Sequence, residues 1–142
     1  MKKFWWFGLV IVAGIAVVFA IPHIKHREPR WDDACAQEFT LHQKSIHVCV
    51  ANTEALREQG LSNTPSLAAG KGMLFEFKEV GQYGFWMKDM KYPIDIIWID
   101  ENLHEVFRAS SVPADSYPKV FSSPVPAKYV LETNLGEIPI QK

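Results

Sequence analysis

The chain has 142 residues and a formal charge of −1, with acids and bases mixed along its length. That length supports one domain. The charge balance argues against a nucleic-acid binder, which would show a basic face or run, so no nucleic-acid partner is expected.

The first segment stands apart. Phe4–Ile21 contains no charged residue and follows Lys2 and Lys3. About 18 apolar residues are just long enough to cross a bilayer core. Trp5 and Trp6 suit the interfacial preference of indole rings. A soluble buried helix is disfavoured, because the segment has no polar stripe on any side. The competing reading is a cleaved signal peptide, for which Val18-Phe19-Ala20 supplies small residues at a cleavage spacing. The apolar run is longer than a usual signal core, which favours an uncleaved anchor over residues 1–21. Flanking charges are nearly balanced: Lys2 and Lys3 on one side, Lys25, Arg27 and Arg30 on the other. The basic tail of a few residues before the span resembles a signal start. The expectation is therefore a single-pass membrane protein with its domain outside the cytoplasm, and secretion after cleavage is the alternative.

Residues 22–37 read as a linker, with Pro22, Pro29, many charges and no periodicity. Its basic cluster could lie against anionic headgroups, although a solvated tether explains it as well. The domain is then 38–142. Glu38–Leu41 and Ser45–Ala51 read as a hairpin, with Ile46, Val48 and Val50 alternating against His47 and Cys49. Asn52 or Thr53 caps a short helix over Glu54–Gln59, and Gly60 ends it. Leu61–Lys71 is a loop in which Ser66–Ala69 could make one helical turn. Met73–Phe77, Phe85–Lys88, Ile94–Ile99, Leu103–Ala109 and Ala127–Thr133 are strands. Ser110–Pro126, with four prolines, is a long loop. These elements predict an α+β, mainly β domain: a small, curled, partly closed sheet with one short helix, preceded by the transmembrane segment.

The cysteines are Cys35 and Cys49. An even number outside the cytoplasm is compatible with a disulfide. Spacing alone leaves a bridge and two unpaired thiols equally open. The hairpin, which folds Gln37–Leu41 back on Ile46–Val50, makes a bridge the expectation, closing a loop of about 15 residues. A mixed metal site from His42, His47 and the two cysteines matches no zinc spacing, and no metal is expected.

Several motifs in series resemble one family: Arg57-x-x-Gly60-Leu61, Gly72-Met73-Leu74-Phe75, Phe85-Trp86-Met87-Lys88-Asp89, Pro93-Ile94-Asp95-Ile96-Ile97, and Tyr129-Val130-Leu131-Glu132 with Gly136. In order and spacing they resemble DUF192, small bacterial and archaeal proteins often exported or tethered by an N-terminal segment. The resemblance spans roughly Ile46 to Gly136 and implies a compact, mainly β fold, with no reaction attached. Three departures are visible. The family commonly has Asn at the position of Asp89 and Arg at that of Thr64. It also usually continues into a sheet-closing segment, which here could come only from the stretch holding Ile138 and Ile140.

Charges inside the apolar block are the candidate site residues, because buried charges must be paired or used. Alternation puts Asp95 on one face with Ile97 and Ile99, and Ile94, Ile96 and Trp98 on the other. Asp95 is expected to meet Lys88 or Arg57, or to cap the Asp89–Pro93 turn. Trp86, Lys88, Asp89 and Asp95, with Arg57 or Glu132 nearby, form the candidate ligand site. If Asp95 and Glu132 faced one cleft they could act as paired carboxylates. No phosphate loop, nucleophile elbow, zincin helix or CxxC pair is present, and no cofactor is expected. Three readings follow. The first is a non-enzymatic module binding a small polar ligand or a cell-envelope component. The second is a hydrolase or lyase acting on carbohydrate or peptidoglycan through paired carboxylates. The third is a protein-interaction domain using Ser110–Pro126.

Overall fold

The computed structural model describes residues 35–141. The expected anchor and nearly all of the linker lie outside the described residues. In chain order the elements are β1 (Gln37–Leu41), β2 (Lys44–Ala51), α1 (Glu54–Gln59), β3 (Lys71–Gly81), β4 (Gly84–Trp86), β5 (Ile94–Ile99), β6 (Glu105–Val112), β7 (Val120–Ser122) and β8 (Ala127–Thr133). The domain is mainly β with one short helix.

Six strands form an open sheet in the order β1-β2-β3-β8-β5-β6, and β4 pairs with β7 in a separate ribbon. All pairings are antiparallel except β2 with β3. A parallel neighbour demands a crossover, and α1 with the 60–70 loop supplies it. The β1–β2 turn is tight because His42 and Gln43 both take positive φ, 49° and 63°, the primed-turn geometry that matches strand twist. Thr53 caps α1 by accepting from the Leu56 amide at 3.3 Å, and Gly60 ends it at φ 49°.

Two of the expectations for loops do not hold. Ser66–Ala69 makes no helical turn; the chain there runs without regular structure until Lys71 N–H donates to the Ala68 carbonyl. Ser110–Pro126 is not all loop, since Val120–Ser122 pairs with Gly84–Trp86. The sheet also has two free edges, β1 and β6, where a partly closed one was expected. No strand follows Thr133 among the described residues. Instead Ile138 is fully buried beneath the sheet, while Ile140 is exposed.

Each sheet face has its own core. One packs Phe75, Ile94, Ile96, Trp98 and Val130 with Leu61 and Leu67 from the crossover. The other packs Phe39, Ile46, Leu74, Ile97, Ile99 and Leu131 around Ile138. Every residue of β5 is buried, because both of its faces are covered. Trp98 satisfies its buried indole by donating to the Tyr83 carbonyl at 2.9 Å.

Cys35 and Cys49 form a disulfide with Cα atoms 4.1 Å apart. The bridge engages both thiols, which removes them from any metal site. His42, the third member of that set, places Nδ1 2.8 Å from the Pro139 carbonyl and Nε2 3.6 Å from Glu105. Arg108 completes this cluster, donating to both Glu105 oxygens and to the Ile138 carbonyl. The cluster holds the C-terminal segment against β6.

Candidate functional site

Asp95 and Glu132 sit on adjacent strands but on opposite faces. The β5–β8 register pairs Asp95 with Thr133 and Ile96 with Glu132. Paired residues share a face and successive residues alternate. Asp95 therefore points to the Ile97–Ile138 side, and Glu132 to the Ile96–Trp98 side. The two carboxylates do not converge, and the paired-carboxylate arrangement is corrected by strand alternation itself.

Asp95 does not meet Lys88 or Arg57 either. Its two oxygens accept from backbone amides, Ser111 N–H at 2.8 Å and Gly136 N–H at 2.9 Å. The sequence between β5 and β6 explains the first bond. The register steps from Ile96↔Ala109 to Ile94↔Val112, leaving one extra residue on β6. Such a bulge re-aims backbone groups, and Ser111 adopts φ 51° there. Asp95 thus fastens a bulge and the turn after β8 to the sheet.

Glu132 has the opposite environment. It is 5% exposed, and its Oε2 is buried without a hydrogen-bond partner among the described residues. Burial alone pushes its carboxyl up from 4.5 to about 8. It forms part of the floor of an open cleft of about 340 Å³ between α1, β3 and β4. Glu54, Arg57 and Glu58 line it from α1, and Phe77, Tyr83, Phe85 and Trp86 from the other side. The aromatic wall is ordered by its own contacts. Phe77 stacks on Tyr83 with ring centres 3.5 Å apart, and Phe75 meets Phe85 edge-on at 4.8 Å. Gly60 is required at the back of the cleft: it has positive φ, and a Cβ there would stand 3.3 Å from the Phe75 ring. Arg57 lies over Phe77 at 5.3 Å and donates to the Glu76 carbonyl at 3.0 Å.

Trp86 joins this cleft to a second recess that Lys88 and Asp89 line with residues of α1 and the following turn. The turn at Asp89 is fixed from across the chain. Asn63 N–H donates to the Asp89 carbonyl at 2.9 Å, and the Ser62 hydroxyl to the Lys88 carbonyl at 2.8 Å. Asp89 has φ 58°, a conformation that Asn and Asp tolerate best among non-glycine residues. Thr64 is buried, with its hydroxyl 2.7 Å from that of Tyr92.

Of the six residues singled out from sequence, Arg57, Trp86 and Glu132 share one cleft, and Lys88 and Asp89 share its neighbour through Trp86. Asp95 lines neither. Sequence reasoning missed Tyr83, Phe77 and the acidic pair Glu54 and Glu58. The two glutamates lie one turn apart on α1, a spacing that puts them on one side of a helix. That signal was available once a cleft beside α1 was known.

Comparison with known proteins agrees with this architecture. A family model, DUF192 (Uncharacterized ACR), matches residues 37–140. A crystal structure of a candidate transcription regulator from Sinorhizobium meliloti 1021 is similar at 32% identity and a TM-score of 0.61, over 66% of this chain and 71% of that one. A protein of unknown function from Novosphingobium aromaticivorans DSM 12444 is similar at 26% identity and the same TM-score, over 66% of each chain. No curated protein matches.

Proposed function

Because this chain belongs to the DUF192 family, whose description assigns no reaction, we propose a role built on its cleft: a non-enzymatic module that binds a small ligand, a polar molecule or cell-envelope component, against Glu132. The observation that carries the reading is the Oε2 atom of Glu132. A buried polar atom without a partner costs about 1–3 kcal/mol, and native proteins keep few of them. A ligand group entering the cleft that Glu132 lines would supply the partner once the carboxyl turns toward it. The surroundings suit this use, since small-ligand sites combine aromatic walls with a few polar groups in clefts of a few hundred Å³.

The module is tethered outside the cytoplasm in this reading. Support comes from the uncharged Phe4–Ile21 run. The Cys35–Cys49 bridge suits an oxidising compartment. The hydrolase or lyase alternative loses its paired carboxylates, because Asp95 is bound to backbone amides on the far face.

The full chain in maltoside micelles would be titrated with envelope fragments, including amino sugars, muropeptides and short peptides, by calorimetry. At least one should bind, and Trp86→Ala and Glu132→Gln should each weaken it tenfold or more. Binding untouched by both substitutions would place the ligand elsewhere. If no fragment binds, the reading falls.

A further inference from the structure

We infer that the Glu132 cleft recognises an organic cation, an alkylammonium group seated among the aromatic rings with the Glu132 carboxylate as its counter-ion. This deepens, and rests on, the binding role proposed above. Three observations support it.

The first is the choice of acid. A neutral hydrogen-bonding ligand could be met by an amide side chain, whose burial carries no ionisation penalty. Unlike an amide, a carboxyl can become an anion. Glu132 is 95% buried by the measure of its 5% exposure, and its Oε2 faces no donor among the described residues. A buried carboxylate needs a cation or several backbone donors, and Glu132 Oε2 has neither among the described residues. No described cation fills that place. Arg57, the basic residue lining the cleft, is over the Phe77 ring and bonded to the Glu76 carbonyl.

The second is the balance of charge around the opening. Glu54 and Glu58 line the cleft with a single basic residue, Arg57, and Glu132 adds a further acid once it ionises. An anionic ligand would meet this excess of acid, whereas a cation would be drawn in.

The third is the wall. Phe75, Phe77, Tyr83, Phe85 and Trp86 line the space. Ring faces attract cations through their quadrupoles, most strongly when water is excluded, and sets of rings recognise quaternary ammonium ligands. Trp86 is 53% exposed at the mouth, so its indole is available without any rearrangement.

The same chemistry sets the pH response. Burial holds Glu132 protonated up to about pH 8. A bound cation favours the carboxylate, so binding releases a proton and strengthens as pH rises toward 8. The other ionisable groups lining the cleft are Glu54, Arg57 and Glu58 on α1 and Tyr83 opposite.

The test uses choline and its uncharged carbon isostere 3,3-dimethyl-1-butanol, titrated by calorimetry into the full chain in maltoside micelles. Choline should bind at least tenfold more tightly than the isostere. Its affinity should rise about tenfold per pH unit between pH 6 and 7.5. Glu132→Gln should abolish both the preference and the pH dependence. Trp86→Ala, at an exposed position, should weaken choline without unfolding the domain. Equal affinity for the two probes would overturn the cation assignment and leave the binding role standing. A choline preference that survives in Glu132→Gln would also overturn it. If neither probe binds while an envelope fragment does, the cation assignment fails alone. If fragments fail as well, both readings fail.

Discussion

The two faces of the six-stranded sheet hold one buried acid each, and the acids are treated differently. On the Ile97 face Asp95 has a backbone amide for each oxygen, and Ile138 covers the apolar side chains beside it. On the Trp98 face Glu132 has an oxygen with no donor among the described residues, and the residue lines an open cleft. The strands are neighbours and the residues differ by one register step. Similar burial therefore produces a fastener on one side and, on the other, a carboxyl oxygen without a partner among the described residues. What separates them is whether the chain brings its own donors. The bulge at Ser111 and the turn at Gly136 do so for Asp95. The crossover through α1 leaves a gap over Glu132.

The largest expected effect tests the packing beneath the open face. Trp98→Ala should destabilise the domain by roughly 3–5 kcal/mol, since the side chain is fully buried and touches Phe85 and Phe107. Urea unfolding measures it. A loss below about 1 kcal/mol would mean that this face is as loosely packed as its cleft, and the contrast would shift from acid chemistry to packing.

Next is Glu132→Gln, read as stability against pH. The folded-state value of about 8 lies above the ordinary 4.5. Below pH 4.5 the group is protonated in both states and its contribution is intact. Above that the unfolded chain ionises first, so stability declines until pH 8 and then levels off. The slope is about 1.4 kcal/mol per unit. At pH 7 the accumulated loss is about 3 kcal/mol on this scale. Glu132→Gln should match the parent at pH 4.5, exceed it at pH 7 by up to that amount, and lack the decline. Parallel pH profiles would show that Glu132 has a partner, and the two faces would cease to differ.

Asp95→Asn should act in the reverse direction. Asn presents one acceptor and one amino group, so one of the two amides loses its partner. The expected cost is about 1–3 kcal/mol, with no change in ligand binding. A binding defect without a stability defect would reverse the roles assigned to the two acids. Smallest is Trp86→Ala. The residue is half exposed, so stability should stay within about 0.5 kcal/mol while ligand affinity falls.

Much of the frame was legible because its signals are local. Ile94–Ile99 read as a buried strand, and Ala127–Thr133 was found at its observed bounds. Thr53 and Gly60 bracket the helix by capping chemistry alone. β7 escaped because Val120-Phe121-Ser122 is short, lies among prolines, and pairs with β4 more than thirty residues earlier. The site was half legible. Alternation correctly separates Asp95 from Trp98, and by the same rule Glu132 from Leu131. It cannot say which of two apolar faces stays open, since that depends on where α1 docks. Lys88 and Asp89 were grouped with Asp95 by closeness in sequence, and the turn at Asp89 carries them to the recess beside α1 instead.

The Cys35–Cys49 bridge has a mechanical consequence. Any tension applied through residues 1–34 enters the domain at Cys35. The disulfide passes that load directly to β2, and residues 35–49 become a closed ring. β1, an edge strand that would otherwise be the first to peel, lies inside the ring and carries none of the pull. Reduction would reroute the force through Gln37–Leu41, one hydrogen-bonded pair at a time. The oxidised domain should therefore withstand traction on its N-terminal side that the reduced domain yields to.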